Sequence, residues 1–136
     1  MATNPTFYDS STEAAVNAVT ALLNSGYLAL YTGSQPALDG SLTGTLLVSM
    51  TFGATAFAAS TAASGTVTAT ANAIGSGTAG NSGTAGYFAL LKSDDATVVA
   101  TGTVGTSGCD FNMNTTSITG GGSVSCSAFQ ITMPQT

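Results

Sequence analysis

Between Ser10 and Gly26 the apolar residues of "SSTEAAVNAVTALLNSG" recur at spacings of three and four, so that Val16, Val19, Leu22 and Leu23 share one face of a helical period. The spacing predicts a helix over about residues 11–24. Ser10 and Glu13 make the S-x-x-E pattern of a capping box, and Gly26 stands where a glycine would stop the last turn. The apolar stripe is narrow, which places the helix on a sheet with its Thr and Asn face outward. Residues 1–9 read as an extended arm carrying two large rings, Phe7 and Tyr8, outside any amphipathic period.

After Gly26 the period changes to two. "YLALYTG" predicts a first strand, ended by the turn-like "SQPALDG". "TLLVSMTFG" sets Leu46, Val48, Met50 and Phe52 against Leu47, Ser49 and Thr51, and "GTVTATANA" sets Val67, Ala69 and Ala71 against Thr66, Thr68 and Thr70. "YFALLKSDDATVVATGTVG" reads as two strands joined through Ser93, Asp94 and Asp95, an exposed turn and an ordinary setting for a carboxyl. Between these strands "GTAGNSGTAG" repeats the tetrapeptide GTAG, too briefly for a structural repeat. It reads as a flexible, mobile connection from near Ala73 to near Tyr87.

In the last third, "CDFNMNTTSITGGGSVSCSAF" predicts a hairpin turning near residues 117–119. That register sets Cys109 opposite Cys126, Phe111 opposite Val124 and Met113 opposite Gly122 on one face. Asp110, Asn112 and Asn114 then share the other face with Ser123, Ser125 and Ser127. Past Ala128 the phase shifts to Phe129, Ile131 and Met133, which calls for a β-bulge. Together these patterns predict a mainly β fold, an antiparallel, jelly-roll-like β-sandwich over residues 10–136 with one short N-terminal α-helix.

Composition narrows what such a sandwich can do. The 136 residues are 43% hydrophobic but only 5% charged, with one Lys, no Arg, no His and a net charge of −5. Typical globular chains carry about 25% charged residues. A surface made of neutral Ser, Thr, Asn and Gly desolvates easily against a neighbour, which points to a subunit of an assembly. One cation cannot neutralise a row of phosphates, so nucleic acid is excluded as a partner. No run of about 18 apolar residues is present to span a membrane. "MATNPTFYDSS" has neither the basic nor the apolar region of a secretory signal, so synthesis in a cytoplasm is expected.

The chemistry-bearing residues are few. Cys109 and Cys126, a cross-strand thiol pair in the predicted hairpin, are expected to stay free in a reducing compartment, and two Cys without His make no zinc site. Asp110, Asn112 and Asn114 imitate the start of a calcium loop, but Thr115 replaces its Gly and Gly121 its bidentate Glu. Of the six acidic residues, Asp94 and Asp95 share an exposed turn while Asp9, Glu13, Asp39 and Asp110 scatter over different elements, and no nucleophile has a base beside it. The expectation is a non-enzyme without cofactor or metal.

The segments "NPTFYDSSTEAAVNAVTALLNSG", "LALYTGSQPALDGSLTGTLLVSMTF" and "GYFALLKSDDATVVATGTVGTSGCDFNMNTTSITGGGSVSCSAFQITMP" resemble a family of small virion proteins of tailed bacteriophages: head-decoration, capsid-cement or minor structural proteins. The resemblance is weakest between Gly53 and Gly86. It implies a sandwich on the outer face of an icosahedral head that clamps neighbouring major capsid proteins and other copies of itself. Under that expectation the contacts fall on the arm, Asn4, Pro5, Thr6, Phe7 and Tyr8, with Gly77, Asn81 and Gly86 as a second contact; the alternative for the two rings is to cover the end of the core. Two other readings compete. One is a tail-tube or tail-fibre component. The other is a carbohydrate-binding module, for which Trp is lacking and Tyr27, Tyr31 and Tyr87 fall inside strands.

Overall fold

The computed structural model of the chain describes residues 5–134. Helix α1 (Asp9–Ala21) is followed by β1 (Tyr27–Thr32), β2 (Leu46–Phe52), β3 (Thr61–Ala63), β4 (Thr66–Thr70), β5 (Ile74–Gly75) and β6 (Gly77–Thr78). Then come β7 (Gly83–Leu91), β8 (Val98–Gly105), β9 (Phe111–Asn112), β10 (Ser117–Ile118), β11 (Ser123–Val124) and β12 (Gln130–Pro134). The main sheet runs β5-β2-β1-β7-β8-β9, with β10 paired to the start of β7; β11-β6 and β12-β4-β3 form two smaller sheets. The fold is mainly β, a curled sheet and its smaller partners arranged as a β-sandwich with a single helix.

Period two explains the core. Leu28 sits between Met50 and Leu90 in the ladder, and Leu30 between Val48 and Phe88, so these side chains share the inner face of the main sheet. Val67 and Ala69 come from β4, while Val16 and Leu23 come from the helix side; all are buried. Phe129 joins the layers, with its ring centroid 5.5 Å from Phe88, 5.8 Å from Phe111 and 6.3 Å from Phe57. β7 lies between β1 and β8, and Tyr87, Ala89 and Leu91 are buried as well as Phe88 and Leu90.

The helix differs from its sequence reading at both ends. It starts at Asp9, because the Tyr8 carbonyl already accepts from Ser11 and Thr12 N–H, at 3.0 and 3.1 Å. Ser10 therefore lies inside the first turn and the capping box does not form; Tyr8 is the N-cap, without a side-chain cap. The helix ends at Ala21, and the left-handed residue beyond it is Ser25 (φ 58°) rather than Gly26. Its buried face is Thr12, Val16 and Thr20, continued by Leu23, whereas Leu22 is 46% exposed. At about 100° per residue, Thr12 and Thr20 lie within about 40° of Val16 and Leu22 about 120° away. The Thr face expected outward is thus turned inward, its hydroxyls donating to Tyr8 O (3.4 Å) and Asn17 O (3.2 Å).

Two further expectations are overturned. The Gly/Ser connection before Tyr87 is paired: β5 adds to β2, β6 pairs β11, and β7 begins at Gly83. Ala79 and Ala85 are buried there, and Gly80 N–H donates to Leu47 O at 2.9 Å. The hairpin of the last third does not form either. β9 runs parallel to β8 through Val104↔Phe111, β10 pairs β7, and β11 pairs β6 through Val124↔Gly77. Cys109 therefore does not face Cys126 across a ladder. The change of phase near Ala128 is the loop between β11 and β12 rather than a bulge, and Gln130–Pro134 pairs β4.

Candidate functional site

The outward surface of α1 carries Asp9, Ser10, Ser11 and Asn17, and otherwise small and apolar groups. With Thr12, Val16 and Thr20 turned inward, Ala14, Ala15, Ala18, Ala21 and Leu22 are left exposed. Hydrogen bonds fix the helix against the chain beneath it: Asn17 Oδ1 accepts from Ser60 N–H (2.9 Å), Ser60 Oγ donates to Glu13 O (3.1 Å), and Asn24 Oδ1 accepts from Ala56 N–H (2.9 Å). Ahead of the helix, Pro5 and Thr6 are exposed, Phe7 is 55% exposed and Tyr8 81%. Asn4 lies outside the described residues. Leu38, in the loop after β1, is 94% exposed.

That loop is tied down at several points. Tyr87, a buried ring stacked on Tyr31 at 5.2 Å, accepts from Thr43 N–H at 3.0 Å and donates its hydroxyl proton to Thr43 O. Gln35 Nε2 donates to Thr101 Oγ1 at 3.0 Å. Burial, Tyr87 and the Asp95 carboxylate raise the Tyr31 phenol above its usual range.

The second group of sequence-predicted contacts has internal duties. A Cβ at Gly77 would collide with Ser49 O, and one at Gly86 with Gly33 O, so both glycines mark close passages of one backbone past another. Asn81, which is exposed, uses its amide to donate to Leu46 O at 2.9 Å. These three residues lie in the strand-rich segment around β6 and the start of β7, on different elements from the arm.

The groups with chemical potential are spent locally. Asp110 Oδ2 accepts from Thr103 N–H (3.0 Å) and Thr103 Oγ1 (3.2 Å), and Asn112 Oδ1 accepts from Cys109 N–H (3.0 Å), so the imitation of a calcium loop is a turn network. Among the described residues no three of His, Cys, Asp and Glu gather as a metal-holding group. Both cysteines are free thiols; burial raises Cys126, whose Sγ donates to Ala128 O. Asp94 departs from the ordinary carboxyl expected in its turn. The Thr97 hydroxyl, then the Thr97 and Ala96 amides, hold it down at about 2.

Sequence reasoning did not find the Ala face of α1 or the exposure of Leu38. The first needed the true helix phase. For the second, the only signal was a leucine between Pro36 and Asp39 in a turn-like run. No helix among the described residues is long and apolar enough to cross a membrane. No family model, curated protein or solved structure matches the chain.

Proposed function

We propose that the chain is a non-enzymatic structural protein of a tailed-bacteriophage particle, a cement that binds the outer capsid surface and clamps neighbouring major capsid proteins. One observation carries the reading. A surface running from Tyr8 along Ala14, Ala15, Ala18 and Leu22 is exposed and, beyond Glu13, carries no ion. Apolar and small side chains can be buried against a partner without leaving a desolvated, unpaired charge, the costliest defect of an interface. Asp9 and Glu13 stand at the start of the helix, and Lys92, Asp94 and Asp95 gather around one hairpin turn.

A cement occupies many equivalent sites on a finished shell and works by avidity and buried area rather than through one deep pocket. Its partners are the major capsid protein and other copies of itself. It is made in the host cytoplasm and resides on the head. Immunogold labelling of purified phage particles tests this: gold over heads is expected. Gold confined to tails would replace the cement by a tail-tube or tail-fibre component, and particles without gold would overturn the virion reading altogether.

A further inference from the structure

The segment from Phe111 to Ala128 encloses an open cleft of about 420 Å³. Its walls are fastened at three places, because β9 is held by β8, β10 by β7 and β11 by β6. Each of these strands is only two residues long, yet each is hydrogen-bonded alongside a different strand of the fold, so the cleft is pre-shaped rather than a gap in a loose loop. The volume lies toward the small end of the about 300–1,000 Å³ usual for small-molecule sites.

The lining has two layers. Phe111 and Ile118 are buried at its base, and Met113, Val124 and Cys126 are half-buried beside them. Around this apolar floor stand Asn114, Ser117, Thr119, Ser123, Ser125 and Ser127, all exposed, and none of their side chains is engaged in an intramolecular hydrogen bond. Hydroxyl and amide groups both donate and accept. The Cys126 thiol is kept protonated by burial, so the lining holds no ion.

These features sort ligand classes. A phosphate or carboxylate would find no cation, and the chain's single Lys is elsewhere, at residue 92. A metal ion would find no carboxylate in the lining; Asp110 borders only an adjoining cleft of about 340 Å³ and already serves Thr103. An alkyl chain would cover the floor but strip water from the rim without replacing its hydrogen bonds. A saccharide ring answers both layers, with a C–H face for the floor and a hydroxyl edge for the rim. The stacked Tyr31–Tyr87 pair is the weaker place for such a ring, since Tyr87 is fully buried.

We infer that the 111–128 cleft binds an uncharged saccharide unit, its apolar face on Met113 and Val124 and its hydroxyls on Asn114, Ser123 and Ser125. The inference does not rest on the cement reading, because it concerns the isolated chain. The test is an array of neutral and acidic glycans probed with the full-length protein. The neutral glycan giving the strongest signal is then titrated into ¹⁵N-labelled protein and into two variants, Asn114→Ala and Ser125→Trp, whose thermal melts confirm folding. Neutral glycans are expected to bind, to shift amides within 111–128, and to lose at least about tenfold in affinity in a folded variant, the size of one or two lost hydrogen bonds. Silence across the array, binding of acidic glycans alone, or neutral binding that survives in both variants overturns the assignment.

Discussion

Asp94 shows how much an exposed carboxylate can be shaped by its turn. It accepts from the Thr97 hydroxyl and from the Ala96 and Thr97 amides, and its pKa falls from 3.8 to about 2. The folded state therefore favours the ionised form. Its contribution is complete above the unfolded value near 4 and is lost as pH falls through about 2. Asp94→Ala is expected to melt below the parent at neutral pH, with the gap narrowing toward pH 2; a gap of constant size would contradict the assignment. Tyr87 acts at longer range. Its hydroxyl makes both bonds to Thr43, 44 residues away in sequence. Tyr87→Phe is expected to cost about 1–2 kcal/mol in urea unfolding, since each net bond contributes about 0.5–1.5 kcal/mol. Faster hydrogen exchange of the Thr43 amide should accompany the loss, and an unchanged exchange rate would show that the loop is held by something else.

Among the elements, the aromatic layer outweighs any single strand. Phe129 touches Phe57, Phe88 and Phe111, which belong to separate parts of the chain, so Phe129→Ala is expected to destabilise by about 3–5 kcal/mol. Equilibrium unfolding that finds less than about 1 kcal/mol would remove Phe129 from that central position. The longer strands were legible in the sequence because alternation over five or more residues fixes a face, as in β2, where Val48, Met50 and Phe52 are all buried. Three things were not legible. Strands of two residues, such as β9 and β11, carry no period, and their partners are chosen by distant backbone, including the close passage at Gly77. Thr12 and Thr20 can be buried because their own helix satisfies their hydroxyls, which hides the true face of α1 from a polarity count. The exposed surface proposed for docking was legible only in part: Tyr8 stands out in the sequence, but the Ala face beside it does not. With the hairpin of the last third absent, both thiols should remain reduced. Intact mass under non-reducing conditions is expected to match two free thiols, and a mass lower by two hydrogens would restore the cross-strand pair.

For the whole molecule, the scarcity of ions is the property to explain. Seven formal charges among 136 residues leave the chain a faintly acidic coat, concentrated at a few turns and the start of α1. Self-repulsion is weak under those conditions, and contact with a neighbour meets little desolvation cost along α1. A lysine placed on that face, Ala18→Lys, should leave the melting temperature nearly unchanged because the position is exposed, yet weaken attachment to a shell by introducing a charge that must be buried. The most direct measurement is co-sedimentation of the purified chain with capsids stripped of it, run with the parent and with Ala18→Lys. Saturable binding by the parent at a fixed number of copies per capsid, reduced at least about tenfold in the variant, is the predicted result. A parent chain that stays in the supernatant at every concentration would contradict the account.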